Sequence, residues 1–265
     1  MTAEEKATFV EWIDLGEPQS LSPTGLLLSS ANAGTLILPS PRFIAAACAD
    51  SVVGATDGRL YALFNNGAYG QPGAVEDLTR ETLRKQFESN IFGWHELTRL
   101  VIPVMREQGE GRIVHNSSVL GLAAMPFRGA YNASKFALEG LTDTLRLELR
   151  GSNIHVSLVE PGPILSRFRA NALVALRENI DIENSIYREN YQGALARLQK
   201  EGPAAPFTLP PEAVLKKLVH ALESKRPKPR YYVTLPTYLF GTLKRILGTR
   251  QLDWILYKAG GEGKR

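Results

Sequence analysis

Short apolar runs alternate with longer segments of mixed polarity along most of the chain, and the alternation is clearest from residue 60 onward. Apolar runs of about four to eight residues between turn residues are typical of buried strands. Apolar residues that recur every three or four positions are typical of helices packed by one face. The pattern predicts strands at 60–64, 112–118, 154–159 and 230–234, and helices at 80–104, 129–150 and 210–223.

This pattern and a length of 265 residues predict a single α/β domain. The first 34 residues are irregular, and we place the domain at residues 35–260. Before residue 60 the predicted elements are a short helix at 3–14, a strand near Leu26, a strand at 35–38 and a helix at 42–55.

Composition narrows the class of protein only modestly. Hydrophobic residues make up 44% and charged residues 22%, as in ordinary globular proteins. The net charge of +4 would weakly attract phosphate-bearing ligands, but no basic run resembles a nucleic-acid-binding patch, so we expect no nucleic-acid partner. The lone cysteine, Cys48, excludes an intrachain disulfide. Together with the lack of a secretory signal and of a bilayer-length apolar run, it predicts a cytoplasmic protein.

Tyr131 and Lys135 are the first chemical signal, because residues four apart lie on one face of a helix. A neighbouring ammonium group favours the phenolate form of tyrosine and tunes it for proton transfer. Ser118 adds a hydroxyl at the end of the preceding predicted strand, at the sheet edge where open α/β sheets bind ligands. The same spacing is also typical of a half-buried ring beside a solvated amine, so the pair alone does not establish catalysis.

Further motifs accompany this trio. They are Phe64-Asn65-Asn66-Gly67-Ala68, Asn90 within Glu88-Ser89-Asn90-Ile91, and Pro161-Gly162-Pro163-Ile164 followed by Ser166. In these motifs, in their order and in the serine thirteen residues before Tyr-x-x-x-Lys, the chain resembles the short-chain dehydrogenase/reductase family. Within the family it is most similar to retinol- and steroid-dehydrogenase-like members. The resemblance covers residues 59–233, with Gly67 and Ala68 in exchanged order and Ser166 in place of threonine.

The resemblance implies a Rossmann-like doubly wound parallel sheet flanked by helices, with incomplete amino-terminal βα units. It implies an oxidoreductase that transfers hydride between NAD or NADP and a carbonyl or alcohol of an apolar substrate, such as an aldehyde, ketone, retinoid or steroid. By resemblance, Tyr131 protonates the carbonyl oxygen, Lys135 lowers the pKa of the phenol and holds the nicotinamide ribose, Ser118 binds the oxygen, and Asn90 positions a relay water.

The cofactor-binding residues are also inferred from the resemblance. Asn66 and Gly67 are expected on the adenosine side, Pro161, Gly162, Ile164 and Ser166 on the nicotinamide side, and Tyr131 and Lys135 between them. The Cβ of Ala68 stands where relatives have glycine, which predicts crowding near the cofactor. No metal site is expected.

The glycine-rich turn that binds the dinucleotide pyrophosphate in this family is missing from the sequence. Thr24-Gly25 is followed by residues 26–34, which lack glycines at the two required positions, and too few residues precede the strand at 60–64 for two complete βα units. Three explanations remain open: a truncated or frame-altered product, a relative without a cofactor site, or a substitute turn built from Ser29, Ser30 and Asn32.

The remaining segments carry expectations about partners. Helices around 80–106 and 129–150 form a homodimer interface in relatives, and residues 166–207 are either a substrate lid or a surface excursion without a role. The apolar, basic tail at 235–260 packs on the domain, caps the substrate pocket or makes weak contact with a membrane surface. Two alternatives to an enzyme remain: a cofactor-deficient relative that serves as a dimerisation partner, and a membrane-surface protein acting through this tail.

Overall fold

A computed structural model describes residues 26–29, 59–203 and 205–261. Within these ranges, five strands form one parallel sheet whose spatial order follows the chain order. The strands are β1 (Leu26–Ser29), β2 (Ala62–Asn65), β3 (Gly111–Asn116), β4 (Ile154–Glu160) and β5 (Arg230–Tyr232). Because the strands are parallel, their carboxyl ends share one edge of the sheet, where polar residues such as Asn65, Asn116 and Glu160 stand.

The helices that connect and cover these strands are described from residue 80 onward. They are α1 (Arg80–Phe87), α2 (Gly93–Glu107), α3 (Gly129–Glu148), α4 (Phe168–Asn179), α5 (Arg188–Gln199), α6 (Glu212–Glu223), α7 (Leu235–Ile246) and α8 (Thr249–Ala259). A π-helical turn, Glu88–Phe92, joins α1 to α2. Short 3-10 turns lie at Val75–Asp77 and Val119–Gly121.

Alternate residues of the strands pack against helices on opposite faces of the sheet, as expected for a parallel sheet buried on both sides. On one face, Phe64, Val114 and Val159 pack against Val214 and Leu218 of α6. On the other face, the intervening strand residues meet α2 and the carboxyl end of α3. The residues of this second cluster include Leu63, Ile113, Val156, Val101, Met105 and Leu149. The predicted doubly wound α/β fold is therefore confirmed.

The predicted strands are found within a few residues of the observed ones, and the strand near Leu26 is β1. The helix predicted at 80–104 is observed as α1 and α2 joined by the π-helical turn, with Pro103 inside α2. Thr79 caps α1 as its position suggests, because its hydroxyl accepts a hydrogen bond from the Thr82 N–H at 3.1 Å. The elements predicted at 3–14, 35–38 and 42–55 lie outside the described residues.

Two segments of the carboxyl-terminal half, the segment predicted as a lid and the tail, pack on the rest of the domain. In the segment predicted as a lid, Leu176 of α4 and Tyr191 of α5 are fully buried against Ala74, and the Tyr191 hydroxyl accepts from the Ala74 N–H at 2.8 Å. In the tail, Phe240 and Leu256 are buried beside the 3-10 turn Val119–Gly121. Packing of the tail on the domain is therefore confirmed. Across the described residues, no helix is long and apolar enough to span a bilayer.

Candidate functional site

A cavity of about 600 Å³ opens at the carboxyl edge of the sheet. The loops that follow β2, β3 and β4 form one wall together with the first turns of α3, and residues of α4, α5 and α7 form most of the rest. The predicted site residues that line it are Asn66, Gly67, Ser118, Tyr131, Lys135, Pro161, Gly162, Ile164 and Ser166. The structure thus brings nine of the ten predicted residues to one cavity.

Ser118 and Tyr131 form the centre of this wall. Ser118 is the N-cap of the 3-10 turn Val119–Gly121, and its Oγ accepts a hydrogen bond from the Leu120 N–H at 3.1 Å. The Tyr131 ring, in the first turn of α3, packs edge-on against Phe168 with ring centroids 5.3 Å apart. Burial raises the pKa of Tyr131 to about 12, although a hydrogen bond from Ser118 acts in the opposite direction. Tyr131 is therefore a neutral phenol near pH 7, able to donate a proton.

Lys135 is almost completely enclosed, with 1% of its surface exposed. Its Nζ donates a hydrogen bond to the Asn116 carbonyl oxygen at 2.8 Å and lies 4.5 Å from the centroid of the Trp94 ring. Burial lowers the pKa of Lys135 to about 7, against an opposing effect of Glu139. The alternative of a solvated surface amine is therefore wrong.

The predicted lowering of the phenol pKa by Lys135 is not what the structure shows. The Lys135 Nζ lies 5.6 Å from the centroid of the Tyr131 ring, yet the pKa of Tyr131 is raised. Desolvation of the phenol is the main cause of this rise, and burial also disfavours the charged form of Lys135.

Asn90 occupies the π-helical turn and lies behind the cavity wall. Its side-chain amide donates to the Tyr69 carbonyl and to the Ser134 hydroxyl, each at 3.1 Å. Its Oδ1 accepts from the Tyr69 N–H at 3.3 Å. Asn90 therefore fixes the loop after β2 to helix α3, and the π-helical turn, a feature frequent at functional sites, makes room for it.

The segment after β2 is held by two hydrogen bonds from neighbouring elements. The Asn116 side-chain amide donates to Asn66 Oδ1 at 2.5 Å, and Trp94 Nε1 donates to the Gly67 carbonyl at 2.8 Å. Ala68, where crowding was expected, packs against the apolar cluster of Ile91, Trp94 and Leu138. The side chain of Ala68 is thus partly buried in the protein core.

The segment after β4 approaches β3 and β5 closely. The Pro161 carbonyl accepts from the Val119 N–H at 2.7 Å. A Cβ at position 162 would lie 2.2 Å from Thr234 Oγ1, so only glycine fits beside this threonine. Ile164 forms an isolated bridge with Leu209, and the Ser166 hydroxyl accepts from the Phe168 N–H at 3.4 Å.

A buried acidic network behind this wall was missed from the sequence. Ser117 donates a hydrogen bond to Glu139, and Arg230 donates to Glu139, Asp143 and Glu160. Burial and the charge of Glu139 raise the pKa of Glu160 to about 8. The five residues come from α3, β4, β5 and the loop after β3, and apart from Glu139 and Asp143, four residues apart on α3, no local spacing links them.

The cavity wall fits the nicotinamide end of a dinucleotide. Asn116 Oδ1 is buried without a hydrogen-bond partner in this wall and is available to a ligand donor. The Lys135 amine lies in the same wall and adds a positive charge, which suits an anionic cofactor. Ser29 ends β1, and the turn expected to hold the pyrophosphate, with Ser30 and Asn32, lies outside the described residues.

Comparisons with known proteins agree with this geometry. A family model for short chain dehydrogenases matches residues 42–175. The uncharacterized oxidoreductase YbbO of Escherichia coli (strain K12) is 43% identical over 243 residues, covering 92% of this chain and 81% of the relative. Human retinol dehydrogenase 8 is 34% identical over 194 residues, covering 71% of this chain and 61% of the relative.

Solved structures show the same likeness. A short-chain dehydrogenase from Streptomyces avermitilis is 25% identical with a TM-score of 0.63, covering 86% of this chain and 80% of the solved one. A short-chain dehydrogenase/reductase from Burkholderia phymatum, solved in complex with NAD, is 26% identical with a TM-score of 0.62, covering 81% and 73% of the two chains.

Proposed function

The chain belongs to the short-chain dehydrogenase family, and from that premise we propose that it transfers hydride between NAD or NADP and a carbonyl or alcohol group of a largely apolar substrate. The observation that carries this proposal is the joint presence of Ser118, Tyr131 and Lys135 in the wall of one cavity. The names of relatives as oxidoreductases favour an enzyme over a non-catalytic dimerisation partner.

The protein's residues would manage the proton while the bound nicotinamide supplies or accepts the hydride. In the reducing direction, the neutral phenol of Tyr131 gives its proton to the carbonyl oxygen as negative charge develops there. The Ser118 hydroxyl, which bonds Tyr131 in the free protein, would turn its single proton to the same oxygen when substrate binds. A protonated Lys135 stabilises the resulting phenolate, and its carbonyl partner on Asn116 holds the amine in place.

The cofactor would lie between the segments after β2 and β4. Asn66 and Gly67 are proposed to contact its adenosine side, and Pro161, Gly162, Ile164 and Ser166 its nicotinamide side. NAD bound to the Burkholderia phymatum relative supports a dinucleotide here. Asn90, which holds the Tyr69 backbone, is proposed to position this wall and, as the resemblance implies, a relay water.

Turnover and cofactor binding can be measured separately. We expect reduced nicotinamide fluorescence to change on binding to the wild-type protein and to Tyr131→Phe alike. Reduction of a medium-chain aldehyde should fall by at least about 10²-fold in Tyr131→Phe, since proton transfer contributes about 10²–10⁴-fold. Tyr257→Phe, on the exposed face of α8, is the matched control. Absence of binding at millimolar NADH and NADPH would reject the proposal.

The helices predicted to form a homodimer expose apolar side chains. The exposed apolar side chains are those of Leu83, Phe92, Phe136, Leu141 and Leu147. We propose that α1, α2 and α3 form the interface, because burying this surface in a second copy removes it from water. Sedimentation velocity should show a dimer that Leu141→Glu dissociates, whereas Val174→Glu on α4 should not; a wild-type monomer contradicts the proposal.

The tail also exposes apolar side chains, among them Ile246, Trp254 and Tyr257. Lys244 and Arg245 lie in the last turn of α7, so weak contact with an anionic membrane surface is proposed. Co-sedimentation with vesicles containing phosphatidylserine should fall in Trp254→Glu; equal sedimentation with neutral and anionic vesicles, or none, argues against it.

A further inference from the structure

The charges of the cavity wall are strongly one-sided. Among the described residues that line it, five are cationic and none is an aspartate or glutamate. The cationic residues are Arg128, Lys135, Arg167, Arg169 and Arg197. Lys135 belongs to the catalytic trio, but the arginines have no part in the proposed proton transfer.

Arg128 and Arg197 have no carboxylate partner among the described residues. Arg128 Nη1 is 3.0 Å from the Met125 sulfur, a weak acceptor. Arg197 Nε is shielded from solvent and has no hydrogen-bond partner in the described part of the chain. Arg169 differs, because its guanidinium donates to the carbonyl oxygens of Arg197, Lys200 and Gly202 and so braces the loop after α5.

Arg197 acts electrostatically on Arg128, and Arg169 acts on Arg197. Burial and the charge of Arg197 lower the pKa of Arg128 to about 10, and burial and the charge of Arg169 lower the pKa of Arg197. Burying like charges without a counter-charge costs free energy. An anion between the guanidinium groups would remove this cost and would gain charge-assisted hydrogen bonds.

Their position points to substrate rather than cofactor. Arg128 is the N-cap of α3, three residues before Tyr131, and Arg197 lies on α5 in the segment predicted as a lid. Apolar lining residues surround this region of the cavity, including Phe127, Ala194, Leu198 and Phe207. The segments proposed to bind the cofactor, after β2 and after β4, are different parts of the wall.

We propose that Arg128 and Arg197 bind an anionic group, a carboxylate or a phosphate, on an otherwise apolar substrate whose carbonyl lies at Tyr131. The assignment of the carbonyl end rests on the proposed function, whereas the anion site does not. The substrate class is then an amphiphilic aldehyde or ketone, rather than a neutral retinoid or steroid.

Matched aldehydes test the substrate class. Decanal, 10-oxodecanoate and 10-oxodecyl phosphate share a chain length and differ in the far end group. For the wild type, we expect kcat/KM to be at least about tenfold higher for one of the charged aldehydes, since hydrogen bonds to charged groups contribute about 1.5–3 kcal/mol. The preferred end group distinguishes carboxylate from phosphate. Equal kcat/KM for all three aldehydes would overturn the inference.

Variants locate the effect. Arg128→Gln and Arg197→Gln should each raise KM for the preferred charged aldehyde by about tenfold or more. Neither should change kcat/KM for decanal or the affinity for reduced nicotinamide. Arg177→Gln, on the exposed face of α4, should leave all of these values unchanged. Equal losses for decanal, or weaker cofactor binding, would show that the arginines serve another purpose.

A binding measurement separates this inference from the proposed function. Isothermal titration with decanoate and decyl phosphate requires no turnover. Binding that is weakened by Arg197→Gln supports the anion site even if neither cofactor nor aldehyde is used, and absence of binding of both anions to the wild type rejects it. Thermal unfolding completes the test: loss of a half-buried cation without a carboxylate partner should leave Tm equal or higher, whereas a structural role predicts a lower Tm.

Discussion

Arg230→Gln is expected to be one of the most destabilising single substitutions in the described part of the chain. Arg230 begins β5, and its guanidinium reaches three carboxylates. The Nη1–Glu160 Oε1 and Nη2–Asp143 Oδ2 distances are both 2.6 Å, and Nη1 also donates to Glu139. Glu139 and Glu160 are buried, so the substitution leaves two enclosed carboxyl groups without their ion-pair partner.

Removing one partner of a buried ion pair typically costs about 3–5 kcal/mol. At about 2–4 °C of Tm per kcal/mol for a domain of this size, Tm should fall by about 6–20 °C. The cost should depend on pH. Burial and Glu139 raise the pKa of Glu160 to about 8 in the folded protein, above the value of about 4.3 in unfolded chains. The folded state therefore binds more protons in this window, and stability falls as pH rises through it.

Without Arg230, the pKa of Glu160 should rise further, so Arg230→Gln should lose more free energy of unfolding at pH 8 than at pH 5. Urea denaturation at the two pH values measures this difference. Arg99→Gln is the control, because its pair with Glu96 is on the surface of one helix and should contribute no more than about 0.5 kcal/mol. A cost below about 1 kcal/mol for Arg230→Gln at both pH values, or a larger cost at pH 5, would refute the reasoning.

Three further predictions follow from single contacts. Gly162→Ala should lower the free energy of unfolding by about 1–3 kcal/mol, because the new Cβ would clash with Thr234. Gly140→Ala, where the new Cβ on α3 has open space, should raise it by about 0.5–1 kcal/mol. Urea denaturation measures both changes. Asn90→Ala should cost about 1–3 kcal/mol by unpairing the backbone after β2, and hydrogen exchange should speed up in that loop. Burial lowers the pKa of Lys135 to about 7, from about 10.4 in unfolded chains, so the free energy of unfolding of the wild type should increase as pH rises between these values. Lys135→Met should lack this increase when urea denaturation at pH 7 and at pH 9.5 is compared.

The features that could be predicted from the sequence are those encoded by neighbouring residues. The period of two in strands and about 3.6 in helices depends only on backbone geometry, so the apolar runs located β2 to β5 within a few residues. Tyr131 and Lys135 share a helix face for the same reason. Ser118 reaches them because β3 and α3 meet at the carboxyl edge, which parallel topology imposes on any such pair of elements.

What could not be predicted depends on which distant segments pack together. Asn90 lies in the helix where the motif suggested, but its bonds go to the Tyr69 backbone and to Ser134. The charge of Lys135 was expected to lower the pKa of Tyr131, yet burial raises the pKa of Tyr131 and lowers that of Lys135, which spacing does not reveal. Burial is a property of the whole fold, and it decides the protonation state of both residues.

Net charge illustrates the same limit for the cationic lining of the cavity. The chain has 31 basic and 27 acidic residues, a balance that gives only a weak attraction for anions when averaged over the surface. Folding separates the two signs, because Glu139, Asp143 and Glu160 gather around Arg230 behind the wall while Arg128 and Arg197 face the cavity. A cavity with low dielectric walls strengthens the field of those few cations far beyond the effect of a net charge of +4. The ligand that the cavity attracts therefore depends on which charged side chains folding places in its wall. The sequence does not reveal those side chains, because they lie in segments that are largely apolar.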